Sequence, residues 1–143
     1  MRLVEAFGLA TEDMDGTLQE REIDPFFKGK VSLRVVKETD DGVELDVMVE
    51  DRRVGFIELN YDSVRRIANV ELSGLHPNYQ GRGIGSVAYP MAHRRAMMKH
   101  RLALASDSDG NRSEKAEALW RGFVRQGMAR YDSGIHRYVM GRG

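Results

Sequence analysis

The feature that most constrains the fold of this chain is an alternation of apolar and polar residues between positions 31 and 76. In the clearest stretch, 43–49, apolar residues occupy every second position, and Asp41-Gly42 just before it is typical of a hairpin turn. Short connections separate this stretch from others of the same period, at 31–36, 54–61 and 67–75. We therefore expect four consecutive strands in an antiparallel meander.

After Pro77 the period becomes that of a helix. The apolar positions that share one helical face are Ile84, Val87, Ala88 and Met91, with Met98 extending it. Pro90 lies inside this helix and is expected to kink it. The remaining predicted elements are a short buried strand, an amphipathic helix and a closing strand or hairpin, at 102–105, 113–126 and 131–140. The order predicts an α+β or mixed α/β domain.

Composition limits the classes of function. The chain has 143 residues, 41% hydrophobic residues, a formal net charge of zero and no cysteine. We expect one domain over 1–143, with an atypical N-terminal segment, 1–30, that begins with a strand at 2–7 and continues as irregular or weakly helical structure. The absence of cysteine excludes thiol nucleophiles and disulfides, and we predict no metal site. The neutral net charge argues against a general nucleic-acid binder, and the lack of a long apolar run predicts a cytoplasmic protein without a membrane anchor.

The segment from Leu75 to Ser86 joins a strand end to a helix start. Its glycines alternate at Gly81, Gly83 and Gly85, which lets the backbone turn sharply and lets a ligand approach closely. The free N–H groups and the positive dipole end of the following helix attract anions. The combination suits a pyrophosphate. The Lys-Ser/Thr pair of a Walker loop is missing, and the glycine spacing differs from that of a dinucleotide fingerprint.

This segment resembles the pyrophosphate loop of the GNAT N-acetyltransferase superfamily. The family signature, Gln/Arg-x-x-Gly-x-Gly/Ala, is matched by Gln80, Gly83 and Gly85, and the flanking Leu-His-Pro and Arg82 match as well. The resemblance extends over about 43–140, and 107–113 also resembles small phage members. It implies a GNAT-like fold in which the strands at 67–75 and 102–105 splay apart to hold the pantetheine arm of acetyl-CoA.

By the same resemblance the chain is an acyltransferase that uses acetyl-CoA as co-substrate. An amine acceptor attacks the thioester directly in a ternary complex. The oxyanion contact is the backbone N–H near Leu75, and Gly74 is compatible with a bulge there. The coenzyme contacts that the resemblance implies are Leu75, His76, Gln80, Gly81, Arg82, Gly83, Ile84, Gly85, Ser86, Ser113 and Trp120. For three of these a structural role is the alternative: backbone positioning for His76, a helix cap for Ser113 and core packing for Trp120.

The sequence departs from the family pattern at the catalytic base. Many members carry Glu eleven residues before the motif glutamine, where this chain has Asn69. Glu71 lies two residues further on, so period-two geometry predicts that it shares a strand face with Asn69 and Ser73. Glu71 is therefore the candidate general base, and the alternative is a solvated carboxylate.

A second departure concerns the acid that protonates the departing thiolate. The family tyrosine lies seven residues after an asparagine, and here Ser113 and Trp120 hold those places. An indole cannot supply a proton at neutral pH, so the candidates are Tyr131, Tyr138 or solvent.

The polar loop after the short strand offers further contacts. Asp107 is a candidate contact for the acceptor, and Arg112 for a coenzyme phosphate, with an ordinary loop capped at Ser113 as the alternative. Two other functions stay open, a noncatalytic acyl-CoA-binding module and an interaction protein without coenzyme. The acceptor, a small molecule or a protein, is not identified by the sequence. Residues 9–29 or a partner subunit would have to cover it, and a homodimer is left open.

Overall fold

The computed structural model describes residues 30–141. The strand expected at 2–7, the segment that follows it to 29 and any covering element from 9–29 lie outside the described residues. Neither helix within 30–141 has the length and apolar character that crossing a membrane requires.

The predicted meander is confirmed. Its four antiparallel strands are β1 (Val31–Thr39), β2 (Gly42–Val49), β3 (Arg52–Asp62) and β4 (Ile67–Leu75). Alternate apolar side chains of β2 are buried, because one face of the sheet packs into the core.

The second half of the described chain adds helices and shorter strands. These elements are α1 (Ile84–His100), β5 (Ala103–Ala105), α2 (Glu114–Arg125), β6 (Ala129–Asp132) and β7 (Arg137–Met140). The described strands form one sheet in the order β1-β2-β3-β4-β5-β7-β6, in which β4 and β5 are parallel and the other neighbours antiparallel. The fold class is mixed α/β, as predicted, and the chain closes with a hairpin.

Both helices share one buried cluster with the sheet. Tyr89 of α1 packs against Trp120 of α2, with ring centroids 5.6 Å apart, and Trp120 stacks on Tyr138 of β7 at 6.1 Å. We call the sheet face in this cluster the helix face; in β4 it carries Ala68 and Val70. The opposite face, which carries Ile67 in β4, is called the far face.

The predicted apolar face of α1 packs against the core except at Met98. Met98 is 79% exposed, so its predicted place on the apolar face is wrong. The buried positions recur at steps of four, at Ile84, Ala88, Ala92 and Ala96, and Met98 lies half a turn beyond the last of them. Sequence periodicity extended the face to Met98, whereas Ala92 and Ala96 continue the contact. The helix continues through Pro90 to His100.

The central strands separate, as predicted. The pairing of β4 with β5 is limited to Ile67 with Ala103, Ala68 with Leu104, and Asn69 with Ala105. Residues 70–75 of β4 therefore have no partner in β5. This part of β4 lines one side of an opening in the sheet.

The bulge in β4 lies at Glu71, so the predicted bulge at Gly74 is wrong. Val70 pairs with Leu59 and Leu72 pairs with Glu58, which leaves Glu71 as the extra residue. An extra residue reverses the alternation of faces beyond it. Ser73 consequently points to the helix face, where its Oγ lies 3.2 Å from Tyr89 Oη. The predicted common face of Glu71 and Ser73 is therefore wrong as well.

Candidate functional site

The loop between β4 and α1 places unused backbone N–H groups at the start of α1. Gly83 is the N-cap residue, with φ of 82°, and Gly81 has φ of 73°, both in the left-handed region that favours glycine. Within residues 30–141 no side chain caps this helix end, and its first turn has no acidic residue. The first N–H groups of a helix lack partners within it, and the dipole adds positive potential there. This end of α1 is therefore suited to an anion.

A cleft of about 420 Å³ opens between this loop and α2. Its lining residues are Leu75, Gln80, Gly81, Gly83, Ile84, Gly85, Ser86, Lys115, Ala118 and Leu119. Seven of these are among the predicted coenzyme contacts, and the structure brings them together around one space. The loop side of the cleft is polar backbone, whereas Ala118 and Leu119 supply apolar surface from α2. Such a cleft can take a charged group at one end and an apolar chain along the other.

Gln80 forms hydrogen bonds to both sides of the cleft, at the end of β4 and at the start of α2. Its Nε2 donates to the carbonyl of Leu75 at 3.1 Å, and its Oε1 accepts from Lys115 Nζ at 3.2 Å. Lys115 is a cleft residue that the sequence analysis missed. A cation in the first turn of a helix opposes the dipole, and this local conflict two residues after Ser113 is the signal that would have found it.

The other four predicted coenzyme residues do not line the cleft. His76 Nδ1 accepts from Asn78 N at 3.2 Å, and Arg82 Nε donates to Asn78 O at 3.3 Å, so both side chains contact the turn before α1. Ser113 Oγ accepts from Ala116 N at 3.1 Å and is the N-cap of α2. Trp120 is completely buried.

Arg112 is held inside the loop between β5 and α2. Its guanidinium donates to Asp107 O at 2.6 Å, Ser106 Oγ at 3.2 Å and Glu117 at 3.0 Å, and its side chain is only 6% exposed. It also lies over the Tyr138 ring, 4.9 Å from the centroid. Arg112 therefore shapes the loop and does not line the cleft where the sequence analysis expected it to meet a phosphate.

The two tyrosines considered as acids point to carboxylates. Tyr138 Oη donates to Glu117, and burial together with this hydrogen bond raises the pKa of Tyr138. Tyr131 Oη donates to Asp109, and this hydrogen bond raises the pKa of Tyr131. Although burial raises the pKa of Glu117, hydrogen bonds from Tyr138 and Arg112 hold it below its usual range. Neither tyrosine lines the cleft.

A polar cavity of about 220 Å³ lies at the separation of β4 from β5, on the far face. It brings together the candidate base Glu71, the candidate acceptor contact Asp107, and Asn69, which stands where many family members have a glutamate. Its other lining residues are Asn60, Ser108, Asn111 and Arg137. Asn69 Oδ1 is buried and has no hydrogen-bond partner within the described part of the chain. Asp107 is buried and accepts from Ser108 N at 2.9 Å.

The solved structures similar to this chain include the following two. One, of a probable acetyltransferase, is 22% identical, with a TM-score of 0.49 over 70% of this chain and 60% of that protein. The other, from Bacteroides thetaiotaomicron, carries an assignment as a GNAT-family acetyltransferase; it is 15% identical, with a TM-score of 0.45 over 75% of this chain and 64% of that protein. The chain spans less than two thirds of either length. No protein-family model and no curated protein matches the sequence.

Fold and site together define a mixed α/β domain with an anion-attracting helix start beside a divided sheet. This is the arrangement that the sequence resemblance to the GNAT superfamily implies.

Proposed function

We propose that this chain is an N-acetyltransferase that moves an acetyl group from acetyl-CoA to an amine acceptor by direct attack in a ternary complex. The observation that carries the proposal is the uncapped start of α1, which faces a cleft next to the opening between β4 and β5. A pyrophosphate requires the uncapped helix start. The pantetheine arm and its thioester require the cleft and the opening beside it.

In this proposal the donor is bound by backbone and by one lysine. The N–H groups at Gly83 to Gly85 hold the pyrophosphate, and Lys115 adds an opposite charge. The apolar side chains of Leu75, Ala118 and Leu119 contact the pantetheine arm. The arm's amides find hydrogen-bond partners in the part of β4 that β5 leaves unpaired. The thioester then lies near the polar cavity on the far face.

The acceptor reacts in that cavity. The ammonium group loses a proton to Glu71, through water, and the neutral nitrogen attacks the thioester carbon. A C–N bond forms, the C–S bond breaks, and the nitrogen releases its second proton to solvent as the amide forms; the backbone N–H near Leu75 stabilises the oxyanion. Glu71 lies on the cavity and shares it with Asn69. The bulge keeps Glu71 on the far face, where the acceptor enters.

Solvent protonates the departing thiolate in this proposal. Tyr131 and Tyr138 donate to carboxylates and have raised pKa values, which makes them weaker acids than an ordinary tyrosine. A free thiol has a pKa of roughly 8.5 against about 10 for tyrosine, so the thiolate leaves without a tyrosine proton.

A second candidate function is a noncatalytic acyl-CoA-binding module. Two observations favour it: an amide, Asn69, stands where the resemblance expects a carboxylate, and Trp120 is buried where it expects a tyrosine. This module would use the same cleft, so coenzyme binding alone does not separate the two functions.

The experiment combines coenzyme-dependent thermal stability with release of free thiol from acetyl-CoA in the presence of amines. Binding to the folded state should add about 2.7 kcal/mol of stability at a hundredfold excess over Kd. Stabilisation with thiol release supports the transferase. Stabilisation without release for any amine favours the module, and no stabilisation contradicts both.

Glu71→Gln tests the base. It keeps size and hydrogen bonding but removes basicity, so turnover should fall by roughly 10²–10⁴-fold while coenzyme stabilisation is unchanged. Full turnover by this variant would assign proton removal to another group.

A further inference from the structure

We infer that Gly55 of β3 is a positioning residue for acetyl transfer. Because it has no side chain, it lets β3 hold the end of β4 in the place where the backbone N–H near Leu75 meets the thioester. The inference rests on the proposed function and adds to it a residue that lines neither the cleft nor the polar cavity.

The end of β4 depends on β3 for its position. Residues 70–75 have no partner in β5, whereas β3 pairs with β4 as far as Gly55 opposite Leu75. One residue beyond β4, His76 N donates to Val54 O at 2.8 Å. In the proposed function this stretch of backbone supplies the oxyanion contact. Its place relative to the thioester is therefore set from β3.

The two strands approach each other so closely at Gly55 that a side chain does not fit. A Cβ on Gly55 would lie 2.3 Å from Gly74 O and 2.7 Å from Leu75 Cδ2, whereas nonbonded carbon atoms pack at about 3.5–4.0 Å. Gly55 lies within β3 and has no positive φ, so the close approach of another backbone is the reason for glycine here. The leucine side chain can rotate away, but the carbonyl belongs to the backbone. A methyl group on Gly55 therefore has to move the strand end.

The direction of this movement follows from the strand pairing. Among the described residues β4 pairs with β5 at 67–69 alone, and beyond that point it borders the opening in the sheet. A methyl group on Gly55 should push the end of β4 into the opening by roughly 1 Å and carry the N–H near Leu75 with it. A misplacement of about this size can cost roughly 10²-fold in rate. The helix start that binds the pyrophosphate in the proposed function follows the loop, at Gly83, so coenzyme affinity should change little.

Gly42 provides a matched control. A Cβ there would lie 2.1 Å from Leu59 O, which is also a backbone oxygen on the neighbouring strand. Gly42 begins β2 directly after the exposed hairpin turn at 40–41, however, and this turn can yield. Gly42→Ala therefore introduces the same kind of overlap away from the end of β4. It separates a loss of stability from a loss of positioning.

The test measures thiol release from acetyl-CoA at a fixed concentration of hydroxylamine, in wild type, Gly55→Ala and Gly42→Ala, after subtraction of the reaction without protein. Hydroxylamine is small and uncharged at neutral pH, so its reaction does not need the general base or recognition of a particular acceptor. We expect Gly55→Ala to lower kcat about 10²-fold, while KM for acetyl-CoA and the stabilisation by coenzyme A change little. Gly42→Ala should keep kcat even where its free energy of unfolding falls.

Hydrogen exchange at the His76 amide follows the strand end without any transfer. Under conditions where all three proteins are folded, it should be faster in Gly55→Ala and unchanged in Gly42→Ala. Unchanged exchange in Gly55→Ala, or a kcat equal to that of wild type, would overturn the inference and leave the proposed function intact. A wild type that binds acetyl-CoA but releases no thiol with hydroxylamine or any other amine would contradict the transferase, and the inference with it.

If Gly55→Ala does not fold, Ser73→Ala replaces it. Ser73 Oγ lies 3.2 Å from Tyr89 Oη, so removal of this hydroxyl loosens the same strand end from the helix face without any overlap. We expect thiol release to fall several-fold and exchange at His76 to become faster. Thiol release equal to that of wild type in Ser73→Ala would overturn the inference.

Discussion

The two helices of this protein begin in opposite ways. α2 starts with Ser113 as a side-chain cap and carries Glu114 and Glu117 in its first turn. α1, the longer of the two, starts at a glycine in the left-handed region; no side chain in the described part of the chain caps it, and its first turn has no acidic residue. Cap and acidic residues each stabilise a helix start, by about 1 kcal/mol and 0.3–1 kcal/mol respectively. The cap of α2 satisfies the N–H of Ala116, whereas in the proposed function the first N–H groups of α1 bind a ligand.

The contrast extends to the other end of α1. Glu38 of β1 binds Arg95 at 3.1 Å and Lys99 at 2.5 Å, and it also contacts His100 and Tyr61. These contacts fasten the C-terminal half of α1 to the edge of the meander. A helix anchored there can leave its N-terminus without a cap, so the anchoring contacts and the proposed ligand site lie at opposite ends of one element.

The largest expected effect comes from giving α1 the acidic first turn that α2 has. Ser86→Glu places a carboxylate in the third position of α1, on the cleft. The charge should add about 0.3–1 kcal/mol of stability without ligand. Against a diphosphate at about 4 Å it should cost on the order of 4 kcal/mol, which is roughly a thousandfold in coenzyme affinity. Thermal unfolding with and without coenzyme A measures both effects.

Ser86→Gln is the control, since it adds a similar side chain without charge and should keep most of the coenzyme-dependent stabilisation. A Ser86→Glu protein that binds coenzyme A as wild type does would contradict the assignment of this helix start to a phosphate.

The next largest effect concerns the C-terminal half of α1, which Glu38 anchors to the meander. The hydrogen bond from Arg95, followed by those from Lys99 and Tyr61, holds the pKa of Glu38 far below its usual value of 4.5. A depressed carboxyl pKa stabilises the fold fully above the unfolded pKa, and the stabilisation is lost as pH falls below it. Glu38→Gln should destabilise the protein by about 2 kcal/mol at pH 7 and by less at pH 3. Chemical denaturation at the two pH values measures the difference, and an equal loss at both would show that the charge of Glu38 is not involved.

How much of this contrast the sequence could predict depends on how far apart along the chain the interacting residues lie. The glycine loop and the cap at Ser113 are local patterns, and both were predicted. The bulge at Glu71 depends on register between β3 and β4, and period-two alternation does not locate an extra residue. The bridge from Lys115 to Gln80 joins residues 35 positions apart. The burial of Trp120 agrees with the core packing given as its alternative role, but its contacts with Tyr89 and Tyr138 join separate elements and follow from tertiary packing.

A smaller effect tests the capped helix. Ser113→Ala removes the side chain that accepts from Ala116 N, so the free energy of unfolding should fall by about 1 kcal/mol. Coenzyme affinity should be unchanged, because Ser113 does not line the cleft. Ser113→Asn restores a capping side chain and should recover most of the loss. If the alanine variant is fully folded and still shows a large drop in coenzyme affinity, Ser113 belongs to the coenzyme site, as the resemblance implied.

The smallest effect comes from Lys115, the residue of α2 that behaves as part of the α1 site. Lys115→Met keeps the alkyl stem but removes the charge from the first turn of α2, where a cation opposes the dipole. Stability without ligand should therefore rise by a few tenths of a kcal/mol, while coenzyme affinity falls a few-fold, as expected for one exposed ionic contact. Raising the salt concentration should weaken coenzyme binding more in wild type than in Lys115→Met, because the variant has lost the screened charge. Isothermal titration at two salt concentrations measures this difference. Parallel salt dependence in the two proteins would show that Lys115 contacts Gln80 without meeting the ligand, and the cleft would then depend on the backbone of α1 for its positive potential.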